Sequence, residues 1–183
     1  MKSRIVFLFI LTATLAASVA AQPLDTSRLN LRTDARTGRI TVSTTTAITP
    51  AAVRALEKDT FALINEERAR TGLSALNWSE KVADVARLHS TNMAEYNFFS
   101  HRGLDGSMVD DRAARFDVNS WKAIGENIAF LKGYDSPAQV AVQKWLQSAS
   151  HRSNLLDPRW SETAIGLAVT SDGKYYFTQV FIR

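Results

Sequence analysis

The chain has 183 residues, no cysteine and three histidines, with 45% hydrophobic and 22% charged residues. Those proportions suit one folded domain with a real core and argue against wholesale disorder. The missing thiols exclude disulfides, thiolate zinc sites and a cysteine nucleophile, and a formal charge of +4 without a basic, aromatic-interleaved run argues against nucleic-acid binding.

Met1-Lys-Ser-Arg4 is a short basic region. Ile5 to Ala17 is an apolar run broken by Thr12 and Thr14, and Ser18-Val-Ala-Ala-Gln22 supplies small residues for cleavage. This is the layout of a secretory signal peptide over residues 1–21. The apolar run is short for a bilayer span of about 20 residues, so no stable membrane span is expected after cleavage. Export without disulfides points to a secreted or periplasmic bacterial protein held together by packing.

Residues 22–48 read as an N-terminal extension rich in Thr, Ser and Arg. Leu29 to Ser43 alternates on both sides of a Thr37-Gly38 turn, which fits a small hairpin or a solvated leader. A domain over 49–183 follows.

Thr49-Pro50 opens a helix, Thr as N-cap and Pro in the first turn. Val53, Leu56, Thr60, Phe61, Ile64 and Arg68 recur at spacings of three and four, and Gly72 ends the helix. After a short apolar connection, Ser79 caps a second helix running to about Tyr96. Its stripe is Val82, Val85, Ala86, His89, Met93 and Tyr96, which makes His89 a core histidine. The helix breaks at Asn97. Phe98 and Phe99 then tether His101, which precedes a loop and so is able to face a cleft. Asp110, Asp111, Arg112 and Arg115 suggest a short exposed helix. Within Gly125-Glu-Asn-Ile-Ala129, Glu126 is either exposed at a strand end or buried with partners.

Ser136-Pro137 opens a third helix, with Gln139 placed for a capping box. Ala141, Trp145 and Ser148 give its buried stripe, and Arg152 continues it if the helix does. Ala164–Val169 and Tyr175–Ile182 read as strands joined at Ser171-Asp172-Gly173, a hairpin signal. Helices first and an antiparallel hairpin last make the class α+β.

Phe98-Phe99-Ser100-His101, Gly125-Glu126-Asn127-Ile128-Ala129, Trp145-x-x-Ser148-x-x-His151-Arg152-x-Asn154-Leu155-Leu156, Ile165-Gly166-Leu167 and Phe177-Thr-Gln-Val-Phe181 occur in that order. Over about Pro50 to Arg183 the chain resembles the CAP superfamily, the SCP domain of cysteine-rich secretory, antigen 5 and pathogenesis-related proteins. Its cysteine-free bacterial branch is the best match. The resemblance implies an α–β–α sandwich with a small antiparallel sheet between helices. It also implies a cleft lined by His101, Glu126 and His151. Where eukaryotic members carry a second acidic residue, this chain has Ser148. Family members bind divalent metal at the cleft and some bind sterols or other lipids.

That set allows several chemistries. His101, His151 and Glu126 could hold a divalent metal such as zinc with a fourth position open, and so support metal-dependent hydrolysis. Ser148 and His151, three apart, would share one helical face, but no nucleophile elbow or oxyanion hole accompanies them. Glu126 could instead bridge the two imidazoles as a structural hub, with Asn127 and Asn154 fixing backbone. The expectation is a binding module whose cleft takes a metal, a lipid or a cell-envelope component, with a metal-dependent hydrolase as the competing class.

Overall fold

The computed structural model describes residues 29–33, 40–44 and 48–183. The expected leader, residues 1–21, lies outside them. The chain divides into two units, Met1–Thr44 and Thr45–Arg183. In the first, β1 (Leu29–Thr33) pairs antiparallel with β2 (Ile40–Thr44), Leu31 opposite Val42. The hairpin reading of this extension therefore holds for its strands; the Thr37-Gly38 turn lies outside the described residues.

The second unit begins with α1 (Pro50–Arg70). Thr49 Oγ1 accepts from the Ala52 amide at 3.2 Å, a cap that satisfies one of the helix's orphan donors. Gly72 leaves the helix at φ +77°, a conformation that costs a β-carbon-bearing residue more. β3 (Asn77–Trp78) lies inside the expected apolar connection and α2 (Glu80–Glu95) follows. Then come α3 (Val109–Ala114), β4 (Ile124–Lys132), α4 (Pro137–Gln147), α5 (Ala149–Leu155), β5 (Glu162–Val169) and β6 (Lys174–Ile182).

The sheet order is β3-β5-β6-β4. Its three long strands are antiparallel, and only the two-residue β3 runs parallel, to β5. Alternation along the strands sends successive side chains to opposite faces. Ala129, Leu131, Ile165, Leu167 and Phe177 pack with Ile64 of α1, Ala141 and Trp145 of α4, and Leu155 of α5. Ala164, Val180 and Ile182 pack on the other face with Val82, Val85 and Ala86 of α2 and Ala113 of α3. The result is the expected α–β–α sandwich. At Gly166 a β-carbon would stand 2.2 Å from the Ala86 backbone, so α2 sits directly on β5 only because that residue is glycine.

Polar ties fix the layers. Buried Glu57 of α1 accepts from the Leu167 amide at 3.1 Å and pairs with Arg87 of α2 at 2.8 Å. Buried Arg68 donates from Nη1 to the Leu155 and Asp157 carbonyls, at 2.9 and 3.0 Å, and so anchors the end of α5 to α1. Some expectations fail locally. Tyr96 is 58% exposed, because α2 ends at Glu95 and Tyr96 is its C-cap, turned off the stripe. Neither Ser79 nor Ser136 makes a side-chain cap bond, so the capping box at Ser136 does not form.

Candidate functional site

β4 is an edge strand, and its neighbouring residues Glu126 and Asn127 point to opposite faces. On the α2 side, Glu126 Oε1 lies 2.8 Å from His101 Nδ1. On the α5 side, Asn127 Nδ2 donates to the His151 carbonyl at 3.0 Å. Asn154 of α5 donates to Asn127 Oδ1 at 3.0 Å and to the Glu126 carbonyl at 3.3 Å. The backbone-fixing role expected of the two asparagines is what they perform. Trp145, fully buried, donates from Nε1 to the Ile128 carbonyl at 3.0 Å, seating α4 on the same edge. The two imidazoles thus face each other across β4, with ring centroids 6.4 Å apart.

Glu126 is buried with partners. Arg112 Nη2 donates to Glu126 Oε2 at 2.6 Å. The same guanidinium donates from Nη1 to the His101 carbonyl at 3.1 Å and to the Ser107 carbonyl at 3.0 Å. Arg112 is 1% exposed, which corrects the expectation of an exposed helix here. The residue escaped the sequence reading, although a signal existed. Val109, Arg112, Ala113 and Phe116 share one helical face with apolar company, and a buried arginine demands a buried acid.

Arg112 takes Glu126 Oε2, which leaves Oε1 as the oxygen that meets His101 Nδ1. The His101 side chain lines the cleft. The hub reading is corrected at one point: Glu126 bridges His101 to Arg112, and no bond from it to His151 is formed.

His89 also belongs to this assembly. It is fully buried, as expected, and its Nε2–H donates to the Ser100 carbonyl at 2.8 Å, one residue before His101. Its Nε2 also lies 4.0 Å from Glu126 Oε1, and its Nδ1 has no partner among the described residues. Burial holds the His89 pKa below the ordinary imidazole value, against the pull of Glu126. The His151 pKa is also lowered, first by burial and then by repulsion from His101. Phe98 packs edge-on to His89 at 6.1 Å, whereas Phe99 is 50% exposed and meets Phe130 at 6.2 Å. Only one of the two expected tethers is therefore inside; the other walls the cleft.

Ser148 lies in the break between α4 and α5, with extended backbone at φ −90°, ψ 122°. Ser148 and His151 therefore do not share one continuous helix. Arg152 is exposed for the same reason: the stripe of α4 stops at Trp145. Ser148 Oγ contacts Ser150 Oγ at 3.2 Å, a local bond that leaves no serine–histidine pair.

The cleft has two lobes that share Phe99, Ile128 and His151. One, of about 520 Å3, adds His101, Arg102 and Met108; the other, of about 360 Å3, adds Phe130, Lys144, Trp145 and Ser148. Each is large enough for a small ligand. A further surface concavity of about 590 Å3 beside Arg152 and Arg159 includes neither imidazole.

The fit to a zinc ion is poor. Both oxygens of Glu126 are engaged, so it stands behind His101 instead of beside it. No group of three or more His, Asp or Glu side chains able to hold a metal occurs among the described residues. Two imidazoles remain, one fewer than the usual three protein ligands of a catalytic zinc.

The family model described as "CAP: Cysteine-rich secretory protein family" matches residues 61–181. The chain is 37% identical over 138 residues to YkwD of Bacillus subtilis (strain 168), covering 75% of this chain and 51% of that one. It is 39% identical over 127 residues to the membrane protein YlbC of the same organism, covering 69% and 34%. The chain thus spans about half or less of these relatives. Among solved structures, an extracellular SCP-domain protein from Bacillus anthracis str. Ames aligns with a TM-score of 0.62 at 33% identity, covering 81% of this chain and 47% of that one. An outer surface protein of Borrelia burgdorferi shares the fold with a TM-score of 0.65 at 22% identity, covering 72% and 94%.

Proposed function

The chain belongs to the CAP, or cysteine-rich secretory protein, family, and from that premise we propose that it is a secreted or periplasmic binding domain. Its partner is a lipid or another cell-envelope component held in the cleft between His101 and His151. The observation that carries this reading is the commitment of Glu126. The one carboxylate at the centre of the site is bonded on one oxygen to His101 and on the other to Arg112. Held at both oxygens, Glu126 is not itself free to exchange protons or attack, and it stands as a support for His101. What the cleft offers instead is two imidazoles beside Phe99, Met108 and Phe130, which are 50%, 38% and 39% exposed. A polar group meeting the imidazoles and an apolar body lying along those side chains would use both. Export is supported by the signal-peptide layout of residues 1–21, and the extracellular and outer-surface names of two structural neighbours agree with it.

The competing reading is a metal-dependent hydrolase using His101, His151 and Glu126. A carboxylate behind an imidazole does orient its second nitrogen outward, as metal ligands require. A third ligand is what the set lacks.

Binding to envelope extracts separates the readings. The purified chain should retain envelope lipids, and His101→Ala and His151→Ala should each lower retention by about tenfold while unfolding cooperatively. Zinc-dependent peptide hydrolysis lost in both variants would replace the binding reading by the hydrolase. Equal retention by wild type and both variants would place any binding elsewhere.

A further inference from the structure

Both lobes of the cleft carry charge of one sign. Arg102 lines the first and Lys144 the second, with His101 and His151 between them. No Asp or Glu lines either lobe. The carboxylate bonded to His101, Glu126, is 8% exposed and already neutralised by Arg112 at 2.6 Å. Its negative charge is therefore spent inside the protein, and a ligand in the cleft meets Arg102 and Lys144, neither of which lies in an ion pair with another of the described residues. At Ser148, on the wall of the second lobe, a hydroxyl stands where a carboxylate would have reversed that balance.

We infer that the cleft is an anion site, not a divalent-cation site: it takes a carboxylate or phosphate group attached to an apolar body. This rests on the proposed use of the cleft for binding and narrows the ligand's charge. Two cationic side chains and the hydroxyl of Ser148 favour the anionic group. Phe99, Ile128 and Phe130 favour the apolar part, where removal from water contributes about 25 cal/mol per Å2. Phosphate and carboxylate are both bound well by such groups, and arginine adds directional donors. A dication placed between the imidazoles would face Arg102 and Lys144 with no carboxylate to offset them.

The test compares probes of equal length on the full chain: dodecanoate, dodecyl phosphate, dodecanol and dodecyltrimethylammonium, with inorganic phosphate and zinc alone. The two anionic amphiphiles should bind at least tenfold more tightly than the alcohol or the cation. Arg102→Glu and Lys144→Glu, both at exposed positions, should each weaken the anions about tenfold and leave dodecanol unchanged. Dodecyl phosphate binding far above inorganic phosphate identifies an amphiphile as the source; equal binding identifies a free anion, and the anion assignment stands with the apolar part overturned. Dodecanol binding as tightly as dodecanoate, abolished by Ile128→Asp, would keep the binding reading and overturn the charge assignment. Stoichiometric micromolar zinc binding that displaces dodecanoate would overturn it too, as would no binding by any probe.

Discussion

Glu126 and Asn127, adjacent on the edge strand, each hold one histidine segment from opposite faces of the sheet. Glu126 takes the His101 side chain at 2.8 Å, and Asn127 takes the His151 carbonyl at 3.0 Å. A strand's two-residue period is what makes this possible. The separation of the imidazoles is thereby set by a single peptide unit of β4.

Arg112 should be worth more to stability than its place on a six-residue helix suggests. Arg112→Met leaves Glu126 buried without its guanidinium partner, with only the contact to His101 remaining, and should cost about 3–5 kcal/mol. Glu126→Gln added to it should recover much of that, because the stranded charge is gone. Denaturant unfolding of the two single variants and the double variant gives the coupling. Additive losses would mean that the pair is not coupled.

The fold should lose stability in acid through His89. Its folded pKa is lowered, chiefly by burial, so the unfolded chain binds a proton that the folded chain refuses. Stability then rises with pH through this group and falls as pH drops below the unfolded value of about 6.5. His89→Gln keeps a donor for the Ser100 carbonyl without titrating. Its stability between pH 7.5 and 5 should fall less than that of the wild type, as read by thermal unfolding at each pH.

Ser148→Glu should convert the cleft toward cations. The residue makes no cap bond to α5, so the change should cost within about 1 kcal/mol. Zinc affinity measured by calorimetry should rise at least tenfold, since a carboxylate would join two imidazoles. No rise would show that the histidines are set too far from this wall.

Gly166→Ala should strain the packing of α2 on β5. The new methyl meets backbone, not a movable side chain, so overpacking should cost about 1–3 kcal/mol or more. A lowered thermal midpoint with His101 and His151 still meeting across the cleft would place the strain between α2 and β5. An unchanged midpoint would mean that α2 shifts freely.

The histidine–glutamate set was legible in the sequence because its motifs occur in family order. Asn127 and Asn154 were legible as backbone-fixing amides because their side chains carry both donor and acceptor. His89 was placed in the core by its helical stripe, but its hold on Ser100 was not visible. Arg112 was missed because four charged residues in one short window look solvated until one asks which face each occupies.

What the sequence determined by itself was the α+β order, the helix at Thr49-Pro50 and the Ser171-Asp172-Gly173 hairpin. These follow from local periodicity and turn chemistry, which act between near neighbours. Only the tertiary structure decided how the charge of Glu126 is used. Arg112 lies 14 positions away along the chain, and no local rule links the two. Burial in one low-dielectric pocket does, because an unpaired ion there is too costly to leave alone. That contact makes Glu126 a buried partner of both Arg112 and His101.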